Sequence, residues 1–368
     1  MTMLELDRGN AASTRLRVID CDIHPVMKAW SEVYPFLEKR WIDHMASYGS
    51  HLRHAFSEAL AYPRITPEGA RVDARPKEGG PAGSNLPLMQ RQHLDQNGVE
   101  YGMLIPLRSN PGSQRNLDLG VALSRAMNDW QAECWVANEP RLRGSILVAQ
   151  EDCAASVEEI EARAADKRFT QLLILPKTDE PLGRRRYWPI LEAAARNQLP
   201  LAIHVGGTNG HPSTAGGWPS YYLEEHHSVS ETMQSTVVSL IFEGVFDRFP
   251  DLRVIIMEGG VGWVPSLTAR MDRNWARHRS EVPHVKRPPS EYMKENVYLT
   301  TQPMEEPARP AQLIDLFERI GWDRLLFSTD YPHWDFDDPR LAFRAPLTDA
   351  QRHQLLFGNA RKVYSRLG

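Results

Sequence analysis

The chain has 368 residues, a formal net charge of −4, and 42% hydrophobic and 24% charged residues, which suits one large barrel domain. Apart from a short arginine run at 184–186 there is no basic stripe, which argues against nucleic acid or an anionic membrane surface as a partner. Three widely spaced cysteines, no apolar leader and no membrane-length apolar run predict a reduced, cytoplasmic protein without disulfides or membrane spans.

The predicted elements alternate between short apolar strands and helices. Strands are expected at 16–23, 101–106, 142–149, 171–175, 201–205, 253–257, 296–300 and 324–328. Helices are expected between them at 86–96, 117–138, 154–165, 187–197, 230–247, 263–278 and 310–320, with a final helical region at 349–365. Eight such units predict an α/β fold, a (β/α)8 TIM barrel. The alternative is an open, doubly wound sheet, but no GxGxxG motif follows any strand.

The region after the first strand interrupts this alternation. Residues 30–62 contain short helical pieces rich in aromatic residues, and residues 63–87 are dense in proline and glycine. A stretch this long without regular structure is typical of a functional loop. We therefore predict an N-terminal segment at 1–15 and one barrel domain at 16–368, with an insertion after strand one, at about 30–87, that covers the active site.

Polar residues stand at the carboxyl ends of four predicted strands, where barrel enzymes carry their active sites. Asp22 and His24 end the first strand and face the same side, which Asp20 shares deeper in the strand. The corresponding residues of the fifth, sixth and eighth strands are His204, Glu258 and Asp330. Each motif alone is weak evidence, but buried carboxylates and imidazoles that meet at one rim are costly without a cation. This donor set predicts a divalent metal, with zinc first and iron or manganese as alternatives.

Three segments resemble a known family. Asp-x-Asp-x-His at 20–24, His204 on strand five and Ser-Thr-Asp-Tyr-Pro-His at 328–333 resemble the amidohydrolase superfamily, in particular the amidohydrolase 2 group of the aminocarboxymuconate-semialdehyde decarboxylases. The resemblance spans about 16 to 365 and includes Gly-Gly-Val-Gly-Trp-Val-Pro after strand six. It implies that Asp22, His24 and His204 bind the metal. It also implies that Asp330 binds the metal and takes a proton from metal-bound water, and that Asp22 stands where many members have His.

One position departs from the decarboxylases that the chain resembles. Their sixth strand ends in His-Gly-Gly with a catalytic His, whereas here Glu258 precedes the two glycines. A glutamate beside a cation should stay ionised, so it suits a base or a ligand to a second metal better than a proton donor. We therefore expect a metal-dependent hydrolase, with metal-activated water attacking an amide, ester, lactone or thioester. Non-oxidative decarboxylation of an aromatic or unsaturated carboxylate is the alternative, and a non-catalytic barrel with a structural metal is a third possibility.

Further candidates stand in the loops predicted after strands five and eight. His226 and His227 follow strand five, and His333 follows strand eight; His227 or His333 would help the metal to polarise the substrate carbonyl. Three tryptophans are expected to line an apolar substrate pocket: Trp218, Trp263 and Trp334. The expected partner is thus a small, partly apolar substrate. One or two metal ions per chain are expected, and the resemblance implies a homodimer.

Overall fold

The computed structural model describes residues 16–49, 69–107, 111–206, 212 and 214–367. Eight strands form one sheet in chain order, and neighbouring strands pair in parallel. They are Val18–Ile23 (β1), Val99–Leu104 (β2), Leu142–Leu147 (β3), Phe169–Ile174 (β4), Leu201–His204 (β5), Val254–Met257 (β6), Val297–Thr300 (β7) and Leu325–Leu326 (β8). The predicted (β/α)8 TIM barrel is confirmed. No helix in the described ranges is long and apolar enough to cross a membrane.

The helices surround this barrel. They are Lys39–Tyr48 (α1), Leu86–Met89 (α2), Leu117–Trp130 (α3), Cys153–Ala164 (α4), Trp188–Arg196 (α5), Tyr222–Phe242 (α6), Val245–Arg248 (α7), Val264–His278 (α8), Pro289–Asn296 (α9), Ala311–Ile320 (α10), Asp349–His353 (α11) and Asn359–Val363 (α12). Helices α2, α3 and α11 continue into π-helical turns at Gln90–Asp95, Gln131–Val136 and Gln354–Gly358.

The barrel strands are buried on both faces, which explains their continuous apolar sequences. All residues of β4, β5 and β6 are buried, as expected for parallel strands covered by helices outside and side chains inside. Helix α10 shows the complementary pattern, because its buried residues Leu313, Phe317 and Ile320 recur at spacings of three and four and so form one apolar stripe.

The seam between β8 and β1 closes differently from the other seven strand pairs. Beyond the two residues of β8, the main chain of Cys21 donates to Phe327 O (3.1 Å). The next main-chain donor, Thr329 N, instead bonds the side-chain Oδ1 of Asp20 (2.9 Å). A carboxylate therefore replaces a main-chain acceptor, and the regular strand ends earlier than the predicted residue 328.

Helix α6 begins at Tyr222 rather than at the predicted residue 230. The Glu224 carboxylate accepts hydrogen bonds from the backbone N–H groups of Ser220 (2.9 Å) and Tyr221 (2.8 Å), which offsets the helix dipole and satisfies donors at this end. His226 and His227 therefore lie on a helix, not in a loop. Helix α9 was not predicted at all.

The predicted insertion contains α1 and short 3-10 turns at Trp30–Glu32, Tyr34–Phe36 and Val72–Ala74. Its residues 50–68 and the N-terminal segment 1–15 lie outside the described residues. The domain boundaries and the covering role of the insertion therefore stay predictions.

Candidate metal centre

The carboxyl ends of β1, β5 and β6 and the segment after β8 bring potential metal ligands together. They form two overlapping groups, in each of which the ligand atoms lie within 4.8 Å of one another. The first group contains Asp22, His24, His204 and Glu258, and the second contains His24, Glu258, Asp330 and His333. The five residues predicted as metal ligands thus lie in one cluster at the barrel mouth.

Both strand-end histidines direct the same ring nitrogen at this cluster. His24 Nδ1 is 2.8 Å from Ile105 O, and His204 Nδ1 is 2.6 Å from Val205 O. A carbonyl oxygen only accepts, so each Nδ1 carries a hydrogen and each neutral ring presents the Nε2 lone pair to the centre. In this tautomer each ring can bind a metal ion through Nε2.

The Nε2 atoms of both histidines lie close to carboxylate oxygens rather than to hydrogen-bond donors. His24 Nε2 is 2.8 Å from Asp330 Oδ1 and 3.1 Å from Asp22 Oδ1. His204 Nε2 is 3.1 Å from Glu258 Oε1 and 3.2 Å from Asp22 Oδ2. Lone pairs facing carboxylates repel unless a cation or proton lies between them.

Buried polar atoms at the centre lack hydrogen-bond partners. Both carboxylate oxygens of Asp22 and the Nε2 of His24 are buried without a hydrogen bond of acceptable geometry. Buried polar groups without partners are rare and costly. A divalent cation supplies the missing partner for all three atoms, so the residues fit a metal ion.

The pKa shifts in the cluster also indicate a site for a cation. Burial raises the pKa of Asp22. Burial also raises the pKa of Asp330 well above its usual range, and the nearby Glu258 carboxylate adds to that second shift. Burial alone would lower the pKa of His204, but the carboxylates of Glu258 and Asp22 raise it well above its usual value. Burial would raise the pKa of Glu258, yet the neighbouring His204 holds it well below its usual value. The centre therefore attracts positive charge.

Two of the candidate ligands sit on strained backbone. Glu258 has φ 51° and Asp330 has φ 61°, in the left-handed region that costs a non-glycine residue roughly 1–3 kcal/mol. Thr300 Oγ1 accepts from the backbone N–H of Glu258 (3.2 Å) and Gln302 Nε2 donates to Asp330 Oδ2 (3.2 Å). These contacts hold both carboxylates in the mouth.

A fully buried network behind the cluster holds the two ends of the seam. The Asp20 carboxylate accepts from the backbone N–H groups of Asp22 (3.2 Å) and Thr329 (2.9 Å). It also contacts Thr329 Oγ1 (2.6 Å) and His93 Nε2 (2.7 Å). The sequence indicated the deep position of Asp20, but it gave no sign of His93, a single histidine within a polar helical segment.

A cavity of about 300 Å³ opens above the cluster. Glu258, Asp330 and His333 line its inner part, and His333 Nδ1 lies 2.5 Å from Asp330 Oδ1. Burial and the neighbouring His24 lower the pKa of His333 to about 3. His226 and Trp334 also line the cavity.

Three predicted residues are not among those that line this cavity. His227 is exposed and its Nδ1 contacts Leu223 O (2.8 Å), because adjacent helix residues point about 100° apart and His226 takes the inward position. Trp218 is half exposed. Trp263 donates to Gly259 O (2.9 Å) and packs against the core.

The family model described as amidohydrolase matches residues 19–366. The chain belongs to this amidohydrolase family. Gamma-resorcylate decarboxylase from Polaromonas sp. is 29% identical over 285 residues, which cover 74% of this chain and 85% of that protein. The Rhizobium sp. protein of the same name is 28% identical over 293 residues, which cover 74% and 84%.

Solved structures share the fold of this amidohydrolase. That of 5-carboxyvanillate decarboxylase from Novosphingobium aromaticivorans, complexed with manganese and 4-hydroxy-3-methoxy-5-nitrobenzoic acid, has a TM-score of 0.70 at 18% sequence identity. The match covers 99% of this chain and 100% of that one.

The expectation of hydrolysis is wrong, because the four curated relatives that each match 74% of this chain are decarboxylases. The expectation rested on the missing strand-six histidine as proton donor. It gave too little weight to groups from other parts of the chain, since His333, His226 and Asp330 all line the same cavity. A proton can therefore reach a substrate without an imidazole on strand six.

Proposed function

We propose that this amidohydrolase is a divalent-metal-dependent, non-oxidative decarboxylase of a small aromatic carboxylate. The observation that carries the proposal is a one-ring-sized cavity with a cluster of metal ligands at its inner end and a buried carboxyl, Asp330, beside them. The decarboxylase relatives support the same reaction.

Asp22, His24, His204, Glu258 and Asp330 would hold the metal. A divalent cation bound there would act as a Lewis acid that holds the substrate through its oxygen atoms and stabilises negative charge on them. We favour manganese over the predicted zinc, because three carboxylates make the donor set oxygen-rich and a structure of the same fold holds manganese.

Decarboxylation also requires a proton donor for the ring carbon that loses the carboxylate. Asp330 suits this role, because its carboxyl lines the inner part of the cavity and His333 Nδ1, through which it can exchange a proton, lies 2.5 Å from its Oδ1. In the proposed step, Asp330 protonates the ring carbon that bears the carboxylate. The bond to the carboxylate then breaks, its electron pair returns to the ring, and CO2 leaves. Asp330 regains a proton from water through His333, which completes the balance.

The test uses manganese-loaded protein with ortho-hydroxylated aromatic carboxylates in D2O. We expect CO2 release and one deuterium on the ring carbon that lost the carboxylate. Asp330→Asn should lower the rate by at least about a hundredfold, as expected for loss of a general acid. Asp152→Asn is the control, because Asp152 caps α4 and asparagine caps equally well. No CO2 from any such carboxylate with manganese, zinc or iron would refute the proposal.

A further inference from the structure

The outer part of the cavity has a wall built from two distant segments. Tyr222 and His226 come from α6, and Trp334 comes from the segment after β8. Their ring centroids lie 5.6 Å (Tyr222–His226), 5.7 Å (His226–Trp334) and 6.2 Å (Tyr222–Trp334) apart, and Trp334 Nε1 donates to the Tyr222 hydroxyl (2.8 Å). We call these three residues the aromatic wall.

Solvent exposure places this wall nearer the mouth than the metal ligands. The side chains of Asp330 and Glu258 are 3% and 14% exposed, whereas that of His226 is 27% exposed. All three residues line the same cavity. A single-ring substrate with its departing carboxylate at the inner end therefore presents its opposite side to the aromatic wall.

His226 carries a hydrogen-bond donor that its own neighbours do not use. Its Nε2 lies 3.1 Å from Asp335 Oδ2, and because an ionised carboxylate only accepts, Nε2 carries a hydrogen. The same contact raises the pKa of His226, which favours the imidazolium with a second hydrogen on Nδ1. Within the described ranges of the chain, no hydrogen-bond partner contacts that Nδ1.

The charged side chains of the outer cavity are balanced, so they do not exclude an anion from this donor. Lys177 lines the cavity and donates to Pro212 O (3.1 Å); burial lowers its pKa, and the opposite charge of Glu225 limits the shift. Glu225 and Asp335 also line the cavity and balance the two cations. An anionic group at His226 would gain a charge-assisted hydrogen bond, stronger than a neutral one.

We propose that the aromatic wall recognises a second carboxylate on the substrate ring, on the side opposite the one that is lost. His226 donates to this carboxylate, and Trp334 packs against the ring. The substrate class is then a single-ring aromatic dicarboxylate. The assignment rests on the proposed function for the position of the departing carboxylate.

The test is a comparison of two unreactive ligands in which a nitro group replaces the departing carboxylate. One, 3-hydroxy-4-nitrobenzoate, carries the second carboxylate opposite the nitro group, and the other, 2-nitrophenol, lacks it. Calorimetric titration of the manganese-loaded protein should show about tenfold to a hundredfold tighter binding of the first, as expected for a charge-assisted hydrogen bond.

His226→Phe keeps an aromatic ring in the wall but removes both nitrogens, so the preference should disappear. His227→Phe makes the same change on the exposed neighbouring residue and should keep the preference. Asp335→Asn keeps an acceptor for His226 but removes the negative charge that favours the imidazolium, so it should weaken the preference without changing the binding of 2-nitrophenol.

Equal affinities for the two ligands in the unmodified protein would overturn the assignment, as would an unchanged preference in His226→Phe. Binding requires no turnover, so this result is separate from the proposed reaction. A protein that prefers 3-hydroxy-4-nitrobenzoate but releases CO2 from no carboxylate would refute decarboxylation and leave the anion site standing. A protein that releases CO2 but shows no preference would refute the anion site alone.

Discussion

Thr329 offers a direct test of how the buried network supports the metal centre. It is fully buried and precedes Asp330. Its hydroxyl donates to Asp20 Oδ2 (2.6 Å) and accepts from the backbone N–H of Tyr331 (3.2 Å). Thr329→Val keeps the shape of the side chain and the backbone bond to Asp20, but it removes these two hydroxyl contacts, together with a weaker one to His93 Nε2 (3.5 Å).

The expected cost follows from these two contacts. Loss of a hydrogen bond to a charged group costs about 1.5–3 kcal/mol and loss of a neutral one about 1 kcal/mol, so the free energy of unfolding should fall by about 2.5–4 kcal/mol. Thr329 adjoins Asp330, and Asp20 also holds the backbone of Asp22. Metal affinity should therefore fall by about tenfold to a hundredfold, as is usual when the support of a ligand is removed.

Urea unfolding of metal-free protein and calorimetric titration with manganese measure the two effects. Thr170→Val is the matched control, because Thr170 is fully buried on β4 and, among the described residues, its hydroxyl hydrogen-bonds only to the weak acceptor Met103 Sδ (3.2 Å). Thr329→Val should lose clearly more stability than the control and, unlike it, lose metal affinity. A Thr329→Val protein that matches Thr170→Val in both measurements would refute this reasoning.

Three further predictions concern the metal, Glu258 and pH. Chelation should abolish CO2 release and added manganese should restore it, while His204→Ala should bind little metal in elemental analysis. Glu258→Gln keeps size but removes charge, so turnover should fall by about tenfold or more with an unchanged circular dichroism spectrum; full turnover would exclude a role at the metal. Burial raises the pKa of Asp337 from 3.8 to about 7, so folded protein binds the proton more tightly and stability should fall as pH rises from 4 through 7. Asp337→Asn, which still accepts from Met304 N, should flatten that dependence in thermal melts at several pH values.

The fold could be predicted because its signals are local. Each buried strand is a short apolar run, and alternation with helices leaves few parallel topologies. The errors arose where distant groups decide an element boundary. The end of β8 depends on the Asp20 side chain, 309 residues away in the sequence, and α6 starts early because Glu224 caps its first turn.

The site was predictable where strand ends define it and less so elsewhere. Asp22, His24, His204, Glu258 and Asp330 meet because parallel strands place their carboxyl ends on one rim. The reaction was predicted wrongly from Glu258 alone, since a proton donor can come from any residue around the rim. His93 and the contact of His226 with Asp335 depend on packing between segments that no sequence spacing indicates.

The β8–β1 seam has a consequence for the order of folding. Every other neighbouring pair of strands is joined by a continuous stretch of chain, whereas this pair joins segments near the two ends of the sequence, and its closure carries the largest loss of chain entropy. Asp22 and His24 lie on one side of the seam and Asp330 lies on the other. A bound cation would therefore act as a cross-link between the first and last strands, and a chain that has not yet closed its ring would have no complete site with which to capture one.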